Sequence, residues 1–362
     1  MGDAGDRMDM PLSNLAQGEV PARGDWVRDR QRQGCRCRAY RDVFTACLEP
    51  NLPWSGPVCE VPYITTRHSV IALPACVADK ALSAVFRYTG DMLFDLHSHT
   101  TASDGALEPQ DLICRAVDQG VTHLAITDHD TVDAFSRVTP RAGLELIPGV
   151  EFSTTWGKTG IHILGLNIDL EASSLLEAIA HQSGARHHRA EAIADKLRKY
   201  GIEDALAGAR AHAGDGHIGR PHFARHLVAI GFVRNEQEAF RKYLGTGKSC
   251  DIRQYWAEPQ RVVEWIRDAG GSALLAHPAK YGLTRSRLLA LASDFRGWGG
   301  AGLEVVSGVQ IPSVTRDLAG ICTNLGLAAS WGSDFHRPGQ PWAELGRYST
   351  PPPRVPPVWE SW

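Results

Sequence analysis

From residue 92 onward, short apolar runs alternate with stretches in which apolar residues recur every three or four positions. The short runs predict strands at residues 93–96, 123–127, 144–150, 161–168, 272–276, 302–306 and 327–331. The longer period predicts helices at residues 108–119, 131–138, 258–269, 284–293 and 311–325. Repeated strand–helix units are typical of a parallel sheet or barrel, so the sequence predicts an α/β fold.

Residues 171–255 interrupt this alternation, because they carry helical patterns and no convincing strand pattern. Helices are predicted at residues 172–181, 186–200, 219–230 and 235–244, the third with Pro221 in its first turn. We therefore expect residues 171–255 to form a helical subdomain inserted between two parts of a barrel, residues 92–170 and 256–350.

The two ends of the chain fit neither pattern. Residues 1–91 scatter charges, glycines and prolines without a sustained period. They are expected to be a poorly ordered extension, or upstream sequence translated from a start codon placed too early, with Met92 as the natural start. Residues 351–362 form a Pro-rich tail that is expected to lie along the surface.

Composition excludes several classes of protein. The 362 residues include 43% apolar and 22% charged residues, as in a typical globular protein, and the net charge of −3 gives no overall basic field for nucleic acid. No apolar run could cross a bilayer, and the polar N-terminus lacks a signal-peptide core. The eight cysteines show no zinc-finger spacing. These features predict a cytoplasmic protein with no membrane association.

Side chains that bind metals follow the predicted strands. His97 and His99 point to the same side of a strand end, because alternate residues of a strand share a face. Nine such residues lie at or near strand ends: His97, His99, Asp104, His129, Glu151, His162, His277, Asp334 and His336. Each alone is more often a surface or hydrogen-bonded core residue, but the strand ends of a barrel converge on one face. Together they predict a metal site.

The types of ligand atom limit which metal ions this site would bind. Imidazole and carboxylate donors without thiolate suit Mn²⁺, the leading candidate, with Zn²⁺, Fe²⁺ and Mg²⁺ as alternatives. Nine protein ligands exceed what one ion accepts, so we expect two or three ions with a bridging carboxylate. Such a cluster would lower the pKa of a bound water toward neutrality and so supply a metal-bound hydroxide.

Six motifs in order resemble the PHP (polymerase and histidinol phosphatase) superfamily of metal-dependent phosphoesterases. They are His97-Ser98-His99 with Ser103-Asp104-Gly105, Thr127-Asp128-His129-Asp130, Gly149-Val150-Glu151, His162-Ile163-Leu164-Gly165, Ala276-His277-Pro278, and Ser333-Asp334-Phe335-His336. The inserted helices, with Gly219-Arg220-Pro221-His222 and Tyr243-Leu244-Gly245-Thr246-Gly247-Lys248, resemble the bacterial 3′,5′-nucleoside bisphosphate phosphatases and 5′→3′ exoribonucleases of that superfamily.

The resemblance implies a distorted seven-stranded (β/α) barrel and a particular division of the ligands. One ion is expected at His97, His99, Glu151 and Asp334. A second is expected at Glu151, His162 and His277, with Glu151 bridging and the nucleophilic hydroxide near it. A third is expected at Asp104, His129 and His336. Asp128 and Asp130, which flank His129, either orient metal ligands or cap the next helix.

The inserted subdomain supplies candidate substrate contacts at Arg220, His222, Arg225 and Lys248. They either hold a second phosphate or ribose of the substrate, since arginine binds phosphate through a bidentate fork, or form a solvated basic helix. The predicted activity is hydrolysis of phosphate esters in nucleotides, either 3′,5′-nucleoside bisphosphates or short RNA. The alternatives are a histidinol-phosphate-type phosphatase and a non-catalytic metal-binding domain. No stable protein partner is expected.

Overall fold

The computed structural model describes residues 92–362 and two short strands in the segment before them. These strands, β1 (Tyr63–Thr66) and β2 (Ser69–Ala72), pair antiparallel as a hairpin. The chain divides after residue 80 into two compact units, and the hairpin belongs to the first. The predictions for residues 1–91 otherwise lie outside the described residues.

Seven strands of the second unit form one nearly closed barrel. They are β3 (Phe94–Asp95), β4 (His123–Ile126), β5 (Glu145–Trp156), β6 (Thr159–Leu166), β7 (Ser272–Leu275), β8 (Gly302–Ser307) and β9 (Ala328–Gly332). Neighbours in the sheet are also neighbours in the chain, and the last strand returns beside the first, where the Leu96 N–H donates to the Trp331 carbonyl at 3.1 Å. The predicted distorted α/β barrel is thus confirmed.

One strand runs against the other six. β6 pairs antiparallel with both β5 and β7, whereas all other neighbours in this sheet are parallel. The prediction of a strand ending at residue 150 was wrong, because β5 continues to Trp156 and turns through Gly157 and Lys158 directly into β6. Glu151 therefore lies within a strand rather than after one.

Eight α-helices accompany these strands in the described part of the chain. They are α1 (Pro109–Gln119), α2 (Ser173–Arg198), α3 (Ala205–Ala213), α4 (Arg220–Ala229), α5 (Glu236–Ala239), α6 (Pro259–Asp268), α7 (Arg285–Gly297) and α8 (Pro312–Leu325). The helix predicted at 131–138 is instead a 3₁₀ turn at Asp133–Arg137, and the one predicted at 235–244 is α5 followed by a π-helical turn, Phe240–Leu244. None of the helices in residues 92–362 is long and apolar enough to cross a membrane.

Helix α2 belongs to two hydrophobic cores. Its first half places Leu175 and Ala178 in the barrel core, and its second half places Ala190 and Leu197 in a separate core of the inserted helices. The sequence predicted two helices here, with a break around the polar and small residues 182–185. That prediction was wrong because Gln182 is buried and hydrogen-bonded to the barrel, so the helix continues through it. The Ala-rich α3 was not predicted.

The Pro-rich tail closes the end of the barrel at which the strands begin. The Ala329 N–H donates to the Pro356 carbonyl, Val358 is completely buried in the barrel interior, and the Trp359 ring stacks on Phe94 at 3.8 Å. Most of the tail is exposed or half-buried, as expected for a segment along the surface, but Val358 and Trp359 pack at the base of the barrel.

Candidate metal centre and adjoining cavity

All nine predicted metal ligands meet at one end of the barrel. Most follow the carboxyl ends of strands, and bridges join His129 to Glu151 and Ser98 to Phe335 beside the ends of neighbouring strands. His162 comes from the first half of β6, opposite Ser153. Because β6 runs in the reverse direction, its beginning lies at the end where the other strands finish.

Glu151 is the central group of the cluster. Its Oε1 atom lies 2.8 Å from His162 Nδ1 and 2.8 Å from His277 Nε2. Its Oε2 atom lies 3.0 Å from His129 Nδ1 and 3.3 Å from both His97 Nε2 and His99 Nε2. A fully buried carboxylate surrounded by five imidazoles is suited to bridge cations.

Two further carboxylates extend the cluster. Asp334 Oδ1 lies 3.5 Å from His97 Nε2 and 3.4 Å from His99 Nε2. Asp104 lies 3.4 Å from His336 Nε2 and 3.8 Å from His129 Nε2. The ligand atoms fall into four overlapping groups: His97, His99 and Asp334; His97, Glu151 and His277; His129, Glu151 and His162; and His99, Asp104, His129 and His336.

The electrostatics keep the carboxylates ionised. Burial alone would raise the pKa of Glu151, but the imidazoles of His129 and His162 hold that pKa well below its usual range. Asp104 is likewise buried, and His336 and His129 hold its pKa well below normal. Burial lowers the pKa of His129 to about 3, so its ring is neutral and can donate a lone pair to a metal.

Unsatisfied buried atoms test whether these residues suit a metal. The buried atoms that make no hydrogen bond among the described residues include His99 Nδ1, Asp104 Oδ1, His129 Nδ1, Glu151 Oε2 and His277 Nδ1. His129 Nδ1 and Glu151 Oε2 lie only 3.0 Å apart, but their geometry is not that of a hydrogen bond. Buried polar atoms are normally hydrogen-bonded, and a concentration of exceptions indicates a missing ligand. Since all five atoms are lone-pair donors of metal-binding type, the residues fit divalent metals.

Supporting groups surround the cluster, and the sequence did not single them out. Glu304 Oε1 lies 3.0 Å from His97 Nδ1, and Glu304 Oε2 accepts from the His277 backbone N–H at 2.5 Å. Such partners fix the orientation of a ligating imidazole. Lys280 pairs with Asp334, and the Tyr281 hydroxyl donates to the Ala276 carbonyl. The sequence does contain one signal for Glu304, because a carboxylate within an otherwise apolar strand indicates a specific role.

The two aspartates beside His129 hold loops rather than cap a helix. Asp128 accepts from the Thr100 N–H at 2.7 Å and from the Ser103 hydroxyl at 2.5 Å. Asp130 accepts from the Ser153 N–H at 2.7 Å and from Gln182 at 2.9 Å, and forms a 2.6 Å ion pair with Arg186. Asp130 thereby joins the loop of His129 to helix α2.

A cavity of about 180 Å³ opens onto the cluster and extends under the inserted helices. Asp104, His129 and His162 form its floor. Its walls include the side chains of Arg186, Arg189, Arg220, Asp251, Arg253 and Trp256. Arg186 and Arg189 lie over the Trp256 ring at 5.5 and 5.2 Å.

Of the four predicted substrate residues, the cavity wall includes Arg220 alone among the side chains described. His222 Nδ1 instead accepts from the Gly219 N–H at 2.9 Å, which caps α4. Arg225 donates to the Asp104 carbonyl at 3.0 Å. Lys248 is exposed and lies outside the cavity wall. The sequence missed Arg186 and Arg189, which it assigned to an ordinary charged helix.

The cavity carries excess positive charge. Arg186 pairs with Asp130, while Arg220 and Arg253 share Asp251. Arg189 has no carboxylate within ion-pair distance in the described part of the chain, and only the Ile252 carbonyl accepts from its Nε. Burial, together with Arg220 and Arg186, holds the pKa of Arg189 well below its usual range. Among the described side chains, the four guanidinium groups thus have only two carboxylates, Asp130 and Asp251, as ion-pair partners, an arrangement suited to an anion.

Comparison with known proteins identifies the class. The model of the PHP domain family matches residues 95–261. A solved structure from Bifidobacterium adolescentis, assigned as a metal-dependent phosphoesterase, is 27% identical with a TM-score of 0.62, and the match covers 72% of this chain and 93% of that one. The chain belongs to the PHP domain family and is a metal-dependent phosphoric ester hydrolase.

Two relatives are more similar to the chain in sequence than this solved structure is. The chain is 44% identical over 270 residues to a 5′-3′ exoribonuclease of Haemophilus influenzae, covering 74% of this chain and 98% of the relative. It is 38% identical over 269 residues to a 3′,5′-nucleoside bisphosphate phosphatase of Chromobacterium violaceum, covering 73% and 94% respectively.

Proposed function

We propose that this enzyme removes the 3′-phosphate from 3′,5′-nucleoside bisphosphates and releases nucleotides from the 5′ end of short RNA. The observation that carries the proposal is the arginine-lined cavity that opens directly onto the metal-binding cluster. A substrate with two phosphates can present one to the cluster while the cavity holds the other. A single-phosphate substrate would leave the buried guanidinium charge uncompensated.

The two activities require the same orientation of substrate. An exoribonuclease that starts at the 5′ end cleaves on the 3′ side of the terminal nucleotide, and a phosphatase acting on the 3′-phosphate breaks an ester at the same position. The 5′-phosphate is common to both substrates. The cavity therefore holds the 5′-phosphate, and the scissile ester lies at the cluster.

The protein side chains have distinct tasks in this scheme. Two or three divalent ions, Mn²⁺ being the leading candidate, are held by the nine ligands, and Glu151 belongs to two of the ligand groups. Bound there, they supply charge neutralisation for the ester and acidify water in contact with them. Glu304 keeps His97 oriented through Nδ1, so that its Nε2 faces the cluster. Arg189 and Arg220 hold the 5′-phosphate by charge-assisted hydrogen bonds.

The substrate also bears on cellular location. We propose a cytoplasmic enzyme, because nucleotide and RNA substrates are available in that compartment.

A substrate panel with Mn²⁺ tests the proposal. The substrates are adenosine 3′,5′-bisphosphate, AMP, histidinol phosphate and a 5′-phosphorylated short RNA. We expect turnover of the bisphosphate and of the RNA, and little of AMP or histidinol phosphate. Good turnover of histidinol phosphate, without hydrolysis of the bisphosphate or the RNA, would overturn the assignment.

A further inference from the structure

We propose that the inserted helices, residues 171–255, control how tightly the ligand group His99, Asp104, His129 and His336 binds its metal ion. This inference goes beyond the proposed substrate, and it rests on the cluster being a metal centre. Three of these four ligands, Asp104, His129 and His336, lie in loops that are bound to the insert by a hydrogen bond or ion pair of an arginine. We call each of these contacts a tie, and each involves the ligand itself or the next residue.

The first tie acts on Asp104. Arg225 of α4 donates to the Asp104 carbonyl at 3.0 Å. The same loop contacts the insert again where the His217 N–H donates to the Ala102 carbonyl at 3.2 Å. The backbones approach so closely there that a Cβ added at Gly216 would lie 2.4 Å from the Thr101 carbonyl oxygen.

The second and third ties act on the two histidines. Asp130, which follows His129, is fully buried and forms its ion pair with Arg186 of α2. Arg337, which follows His336, forms a two-point pair with Glu236 of α5, with both N–O distances at 3.2 Å. Three separate helices of the insert therefore contact the three ligand loops.

Three other ligands, His97, His277 and Asp334, are supported from the barrel. Glu304 of β8 holds both His97 and the His277 backbone, and Asp334 pairs with Lys280 and donates its N–H to the His97 carbonyl at 2.9 Å. These supports all lie outside residues 171–255. Breaking these contacts would thus loosen Asp104, His129 and His336, and would leave in place the two groups that contain none of them. Those two groups are His97, Glu151 and His277, and His97, His99 and Asp334.

A metal site gains affinity when its ligands are already held in position, and loss of one supporting partner typically costs about 10- to 100-fold in affinity. Docking of the insert and ion binding at this group are therefore coupled. Such coupling is reciprocal, so the ion would also strengthen docking of the insert. The contacts of the insert with the loops of Asp104, His129 and His336 would then be most stable when the full set of ions is bound.

Manganese titration of the metal-free full chain tests this proposal. Asp104→Asn defines the binding curve of an enzyme that has lost a ligand of this group. We expect Arg225→Gln and Glu236→Gln each to weaken the same class of Mn²⁺ binding by about 10-fold or more, leaving the other ions unaffected. Arg198→Gln, which alters an exposed pair at the far end of α2, is the matched control and should bind Mn²⁺ as the wild type does.

The double variant Asp104→Asn/Arg225→Gln separates local from general effects. If Arg225 acts through this ligand group, the double variant binds Mn²⁺ no more weakly than Asp104→Asn alone. The proposal is overturned by unchanged Mn²⁺ binding in both single variants, by equal weakening at all ions, or by a further loss in the double variant. Because Glu236 is partly exposed, its variant remains informative should Arg225→Gln fold poorly. A wild-type enzyme that binds no Mn²⁺ would instead remove the metal centre itself, and this proposal with it.

Discussion

The guanidinium of Arg189 is buried beside Arg186 and Arg220 and lacks a carboxylate within ion-pair distance among the residues described. A buried charge without a partner is costly, so the native state retains it where a ligand supplies the opposite charge. If the proposed function holds, this side chain would separate substrates that carry a second phosphate from those that do not.

Replacing Arg189 by glutamine is expected to raise KM for adenosine 3′,5′-bisphosphate about 10- to 100-fold, the value of one strong charged hydrogen bond. Hydrolysis of adenosine 3′-monophosphate, which lacks the 5′-phosphate, should change little. Steady-state kinetics on both substrates measure the difference, with Arg241→Gln on the exposed surface as control. Equal losses on the two substrates would argue against a phosphate contact.

Some residues of the site could be predicted from the sequence and others could not. Histidines and aspartates at strand ends are recognisable, because the ends of barrel strands converge whatever the details of packing. Glu304 lies in a buried strand, and its role depends on which side chains face it from β3 and β7. Arg189 looked like one charge among many on a helix, since burial of that face depends on contacts with the segment at residues 251–256.

At the level of secondary structure, two helical glycines of the insert differ in the space around them and allow a paired test of helix packing. A Cβ added at Gly184 in α2 would meet nothing within 4 Å, whereas one at Gly208 in α3 would lie 2.0 Å from the His226 ring. Gly184→Ala should stabilise the protein by up to about 1 kcal/mol through helix propensity. Gly208→Ala should destabilise it by about 1–3 kcal/mol through overpacking against α4. Urea unfolding measures both, and a stabilised Gly208→Ala would contradict the close packing of these helices.

At the start of α4, His222 makes stability depend on pH. Burial, together with Arg225 and Arg186, lowers the pKa of His222 from 6.5 to about 4. Because the folded pKa is depressed, the unfolded chain takes up the proton first, and stability present above pH 6.5 falls as the pH drops toward 4. Acidification from pH 7 to pH 5 should lower the free energy of unfolding by about 1–2 kcal/mol through protonation of His222 in the unfolded chain. His222→Asn keeps an acceptor for the Gly219 N–H and removes this titration.

Thermal unfolding of metal-free enzyme at the two pH values compares His222→Asn with the wild type, so that other titrating groups cancel. The variant should lose less stability on acidification. An identical loss in both proteins would show that His222 titrates normally.

The direction of β6 could not be predicted from its own residues. Apolar alternation identifies a strand but does not fix its partners, and the turn at Gly157 and Lys158 is short enough to force a hairpin. The continuity of α2 is a similar case, because burial of Gln182 by the barrel overrides the local tendency of Gln-Ser-Gly to break a helix.

For the molecule as a whole, the C-terminal tail completes the barrel core. Val358→Ala should destabilise the protein by about 2 kcal/mol, since the side chain is fully buried at the base of the barrel. Metal content should not change, because the ligands lie at the opposite end of the strands. Val309→Ala, at a residue that is 58% exposed, is the control for chemical denaturation. Equal stability of the two variants would mean that the tail contributes little to the fold.

Helix α2 runs without interruption from the barrel core into the core of the insert. Because one continuous helix packs in both cores, we expect little hinge motion of the insert on that side. Substrate is then expected to enter and leave through rearrangement of side chains and turns at the rim of the cavity.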